Sequence, residues 1–102
     1  MKAIINGKSY NTETAEELGS DSYGYASDFH HWQETLYRTK GGAYFTAGSG
    51  GPLTQYARAT GQNERSGGSA IYPLTEAEAR SWMERHCTPD AYVAAFGAPE
   101  EA

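Results

Sequence analysis

The sequence predicts an α+β domain, and three observations carry that prediction. Two pairs of β-rich segments flank tight turns, a capping box opens a helical stripe, and a second capped helix follows at once. The expected architecture is a small, mainly antiparallel sheet of two hairpins plus a short strand, packed against three to four short helices. A chain of 102 residues suits one domain with one modest core. Residues 1–97 are expected to form it, and 98–102 to fray as a C-terminal tail.

Segments 2–5 and 8–10 flank Asn6-Gly7. Both central residues of a type I′ turn need positive φ, which Asn and Gly tolerate, so an N-terminal hairpin is expected. Residues 12–19 predict a short helix, with Thr12 at its start, Glu13, Glu16 and Glu17 in its early turns, and Gly19 at its end. Residues 20–33 alternate Ser, Asp and Gly with Tyr23, Tyr25, Phe29, His30, His31 and Trp32, and read as an ordered loop carrying aromatics. The second hairpin pairs 34–39 with 43–47 through Lys40-Gly41-Gly42. Pro52 and Gly61 bracket a predicted helix, because Leu53, Tyr56, Ala57 and Thr60 share one helical face. A polar loop over 62–69 leads to a short strand at 70–72. Thr75 and Glu78 make a capping box that launches a helix over 76–86, with Ala79, Trp82, Met83 and His86 as its stripe. Thr88, Pro89 and Asp90 start a last helix that buries Tyr92, Val93 and Phe96 and ends at Gly97.

Eight Tyr, three Phe and two Trp stand beside few aliphatic residues, so much of the core must be aromatic. Tyr and Trp carry polar tips, which favours half-buried positions and binding surfaces. The net charge is −5, and it is unevenly spread. Glu13, Glu16, Glu17, Asp21, Asp28 and Glu34 follow one another with no Lys or Arg between them. Arg38, Lys40, Arg58 and Arg65 then reverse the sign. The basic footprint of a general nucleic-acid binder is absent overall, so direct nucleic-acid binding is not expected. No apolar run has membrane-spanning length, so no membrane partner is expected. A lone Cys87 and the lack of an N-terminal apolar stretch place the chain in the cytoplasm by expectation.

The strings Ile5-Asn6-Gly7-Lys8-Ser9-Tyr10-Asn11-Thr12-Glu13-Thr14-Ala15, Glu34-Thr35-Leu36-Tyr37-Arg38-Thr39-Lys40, Gly50-Gly51-Pro52 and Pro73-Leu74-Thr75-Glu76-Ala77-Glu78-Ala79-Arg80-Ser81-Trp82 resemble a family of small bacterial accessory proteins. Such proteins are encoded on phages, plasmids and integrative elements. The resemblance spans most of the chain and is weakest over 20–32 and 62–68. It implies a provenance and brings no catalytic residues with it. Small acidic proteins from such elements include anti-CRISPR and anti-restriction inhibitors, which occupy a host complex.

Chemistry-bearing groups are sparse. Gly48-Ser49-Gly50-Gly51-Pro52, running into a predicted helix, resembles an anion loop, but the Lys-Ser/Thr pair of a phosphate loop is missing. The glycines more simply make a tight turn. His30, His31, His86 and Cys87 are zinc-ligand types without zinc-ligand spacing. Pairing of Cys87 with His30 or His31 needs spatial approach and an orienting acid such as Asp28 or Glu34. Nothing local supports it, and Cys87 lies at a helix end. The paired glutamates are explained by helix starts. Neither catalytic residue, metal nor cofactor is expected.

The leading expectation is therefore a non-enzymatic protein that binds and inhibits a host defence or nucleic-acid-handling complex, as an anti-CRISPR protein does. Its partner is a host protein or ribonucleoprotein, such as a CRISPR effector, and pairing with a second copy is left open. Asp21, Tyr23, Tyr25, Asp28, Phe29, Trp32 and Glu34 are the expected contact residues, because aromatic anchors dominate interfaces and acids steer toward basic grooves. The alternative is a small regulatory or nucleic-acid-binding module using Arg38, Lys40, Arg58 and Arg65.

Overall fold

The computed structural model describes residues 1–102. Strands β1 (Lys2–Ile5) and β2 (Lys8–Asn11) pair antiparallel around Asn6 and Gly7, whose φ angles of 51° and 76° are the two positive values this turn requires. Strands β3 (Glu16–Tyr23), β4 (Trp32–Arg38) and β5 (Tyr44–Gly50) follow, then a small outlying hairpin of β6 (Arg58–Gly61) and β7 (Glu64–Ser66). Strand β8 (Gly68–Leu74) returns to the sheet, which is antiparallel throughout with spatial order β3-β4-β5-β8. Helices α1 (Glu76–His86) and α2 (Pro89–Phe96) complete an α+β chain. Neither helix is long and apolar enough to cross a membrane.

Two expected helices do not form, which leaves two in place of three or four. At 12–19 the Asn11 side-chain oxygen accepts from the Glu13 amide, and the Asn11 carbonyl accepts from Thr14 and Ala15. One turn results, after which Glu16 already pairs with Arg38 in the sheet. β3 then continues through Tyr23, so the expected loop over 20–33 is half strand. At 52–61 the Leu53 amide donates to the Phe29 carbonyl in the connection between β3 and β4, and Thr54 closes turns to Gly51 and Ala57. An isolated helix of that length is marginal in water, so tertiary partners decide. The expected polar loop over 62–69 contributes β7 and the start of β8.

The sheet is a central layer with two cores. On β4 the odd positions face one side and the even positions the other. Leu36 packs with Tyr44, Ala79, Trp82, Met83 and Ala95 beneath the helices. On the opposite face Phe45 and Ala47 pack with Tyr10 of the N-terminal hairpin, and Tyr37 stacks on Phe45 at 5.1 Å. Fully burying Phe45 or Leu36 stabilises by about 1.5–3 kcal/mol each.

The capping box is present in both directions: Glu78 N–H donates to Thr75 Oγ1 at 3.1 Å, and Thr75 N–H to Glu78 Oε1 at 2.8 Å. Those bonds hold the Glu78 carboxyl below its ordinary range. Ala79, Trp82 and Met83 are buried and His86 is half-buried, so the stripe of α1 lies as its periodicity indicates. In α2 Thr88 caps, but Val93 is exposed and Ala95 takes the buried place. Arg80 joins the helices, its guanidinium 4.7 Å above the Phe96 ring and donating to the Tyr92 hydroxyl.

Candidate functional site

One end of the sheet gathers most of the expected contact residues. Residues 24–31 connect β3 to β4 through consecutive turns: Asp28 N–H donates to the Tyr25 carbonyl at 2.8 Å, and His31 N–H to the Asp28 carbonyl at 3.1 Å. The Asp28 carboxylate accepts from the His30 amide at 2.8 Å. With its backbone tied back, this connection turns its side chains outward. Tyr23, Tyr25 and Phe29 are 55%, 82% and 64% exposed. The Leu53–Phe29 backbone bond brings Leu53, also exposed, beside them. Tyr23 stacks on Trp32 with centroids 6.5 Å apart, and Tyr23, His30, Trp32 and Leu53 line a shallow depression of about 490 Å³.

Asp21 and Glu34 are placed differently. They sit directly opposite each other on β3 and β4, facing α1. Two carboxylates in that register repel unless each has its own partners. Asp21 takes His86, whose Nδ1 lies 2.9 Å from its carboxylate. Glu34 takes three donors: the Tyr56 hydroxyl, the Gln55 amide at 2.8 Å and the Trp82 indole N–H at 3.2 Å. It is 7% exposed, so it stands inside the protein and not on the acidic surface where its sequence neighbourhood placed it.

Gly48 makes this arrangement possible. It pairs with Glu34 across β4 and β5, and a Cβ there would lie 2.5 Å from the Tyr56 hydroxyl. Without one, the Tyr56 ring lies against the strand and its hydroxyl reaches the carboxylate. Burial and the adjoining Glu34 carboxylate push the Tyr56 phenol far above its ordinary range. The glycine stretch expected as a tight strand-to-helix turn is thus strand through Gly50, with no helix following it.

Above Glu34 opens a cleft of about 700 Å³ between the sheet and α1, bounded by Thr46, Gln55, Tyr72, Leu74, Ala77, Ser81, Trp82 and Arg85. A line of rings connects it to the aromatic end. His86 meets Trp82 at 4.8 Å and Trp32 at 5.5 Å, and Trp32 meets Tyr23.

The remaining sequence candidates stay apart. Arg38 pairs with Glu16 near the start of β5, while Arg58 donates to the Ser69 carbonyl near its end. A seven-residue strand separates the two pairs by about 20 Å, so the four basic residues do not make one patch. His86 is engaged by Asp21, and no three His, Cys, Asp or Glu side chains converge as a ligand set. Burial, and then the Asp21 charge, raise the Cys87 thiol above its ordinary value, which keeps it protonated.

The sequence reading missed Gln55, Tyr56 and Trp82 as partners of Glu34. Alternation held the signal: Trp32, Glu34 and Leu36 share one face of β4, which sets an acid between two large apolar side chains. Comparison of the chain with protein-family models, with curated proteins and with solved structures found no match to any of them.

Proposed function

We propose that this chain is a non-enzymatic interaction protein that docks its aromatic end onto a host complex in the cytoplasm and inhibits it. One observation carries the reading: Tyr23, Tyr25, Phe29 and Leu53 are exposed together at one end of a small domain, around a half-buried Trp32. Clustered large apolar side chains on a soluble surface mark interaction sites, and aromatic residues supply most of the energy at such sites. Asp28 borders the patch, and the net charge of −5 favours a basic partner surface. Asp21 lies on the flank, bonded to His86, and Glu34 lies outside the contact at this end. The resemblance to mobile-element accessory proteins, together with size and acidity, supports a host defence or nucleic-acid-handling assembly as the target, with a CRISPR effector first among candidates.

The test is affinity capture from nuclease-treated lysate of the native host with the wild-type chain and with Tyr25→Ala/Phe29→Ala. A defence or nucleic-acid-handling complex recovered by the first and lost by the second supports the reading. Recovery unchanged by the double substitution, or seen only in a parallel capture from untreated lysate, overturns it.

A further inference from the structure

We propose that the cleft between the sheet and α1 binds an organic cation, a primary ammonium or guanidinium group on an apolar stem, with Glu34 as its counter-ion. This site is separate from the aromatic end and does not depend on the function assigned there.

The reasoning starts from charge. Glu34 is 7% exposed, and its three hydrogen-bond donors are all neutral: a phenol, an amide and an indole. It belongs to neither of the two Arg–Glu ion pairs and to neither of the two His–Asp contacts in the protein. Burying a carboxylate without a counter-charge is costly, and hydrogen bonds to neutral groups offset only part of that. Of the basic residues along the cleft, His86 is held by Asp21, and Arg85 stands exposed at the rim without an ion-pair partner. The carboxylate therefore faces an open cleft of about 700 Å³ with its charge uncompensated. That volume is in the range of small-ligand sites, about 300–1,000 Å³.

The donor set selects the kind of cation. A carboxylate offers about four lone-pair positions, of which three are taken, leaving room for one more N–H. A metal ion needs several free oxygen or nitrogen ligands, and the groups around Glu34 present hydrogens toward it. A single N–H donor on a carbon stem fits, because Leu74, Ala77 and the rings of Tyr72 and Trp82 supply an apolar wall and ring faces for a cation. The same chemistry is carried by a free amine or guanidine and by the Lys or Arg side chain of a partner.

The full chain is titrated by calorimetry, and by amide NMR following the Trp82 indole N–H. The probes are n-butylguanidinium, n-butylammonium, the neutral isostere n-butylurea, and the peptide acetyl-Gly-Gly-Arg-Gly-Gly-amide. We expect saturable binding of at least one cation with a shift of the Trp82 signal, and about tenfold or greater weakening with butylurea. Tighter binding of the peptide than of butylguanidinium assigns the site to a partner side chain, and the reverse to a free ligand. Glu34→Gln should abolish the preference for charge. Should that variant not fold, Ser81→Arg, on the cleft wall, brings the chain's own cation to Glu34 and should block binding. Butylurea shifting Trp82 as strongly as butylguanidinium, or no probe shifting it, overturns the proposal.

Discussion

Replacing Tyr56 by Phe removes one of the three donors on Glu34 while leaving the ring that packs on β5. A hydrogen bond to a charged acceptor contributes about 1.5–3 kcal/mol. Tyr56 is 3% exposed and, unlike Glu34, does not line the cleft, so water does not take the place of the lost hydroxyl. The loss should therefore fall in the upper part of that range, about 2–3 kcal/mol. Urea unfolding followed by tryptophan fluorescence reads it directly. With a slope of about 1.5 kcal/mol per molar urea, the midpoint drops by about 1.3–2 M. The same substitution made in a Glu34→Gln background should cost less than half as much, because the charge is gone. The pH dependence has a defined sign. The Tyr56 phenol is raised above its ordinary 10.0 in the folded chain, so its contribution is complete below that pH and is lost as pH rises beyond it. Tyr56→Phe should soften this alkaline loss. A variant within about 0.5 kcal/mol of wild type, or an equal cost in both backgrounds, would refute the account of Glu34 as a charged hub.

Gly48→Ala sets a methyl group against the Tyr56 hydroxyl and the Gln33 carbonyl, so overpacking should cost about 1–3 kcal/mol and lower Tm by at least about 5 °C. Unchanged melting by calorimetry would show that Tyr56 does not need the close approach. Thr75→Ala should cost about 1 kcal/mol and speed hydrogen exchange in the first turn of α1. Glu78 is depressed below 4.5 by the same box, so its contribution is present above that pH and fades as acid brings the pH down through the folded value. Glu78→Gln should flatten that acid limb in a stability–pH profile.

What the sequence revealed and what it hid divide along the reach of the interactions involved. Asn6-Gly7, Thr75 with Glu78, and Thr88 with Pro89 each complete their chemistry within four residues, and each was legible. Residues 12–19 and 52–61 also carried helix punctuation, yet both stretches are short and their amides found better partners. The Asn11 side chain claimed one, and the Phe29 carbonyl, 24 residues before Leu53, claimed another. The loop expected over 20–33 holds for 24–31, whereas 20–23 and 32–33 are strand, because pairing of β3 with β4 depends on a partner strand. Glu34 shows a different limit. The charges that precede it in the sequence, back to Glu13, are all acidic and suggest a solvated face, whereas its neighbours in space come from 21, 22 and 48 residues away.

The two outer strands of the sheet bear on how the protein behaves when concentrated. Strand β3 presents Glu16, Glu17 and Asp21 along one margin and breaks its register between Glu17 and Gly19. Strand β8 carries Pro73, which has no N–H to offer a newcomer. Charges, irregular register and proline are the features that stop one sheet from templating another. Fibril growth by strand addition is therefore blocked at both margins, and a solution of this protein should stay free of cross-β assemblies at concentrations where an unguarded four-stranded sheet would polymerise.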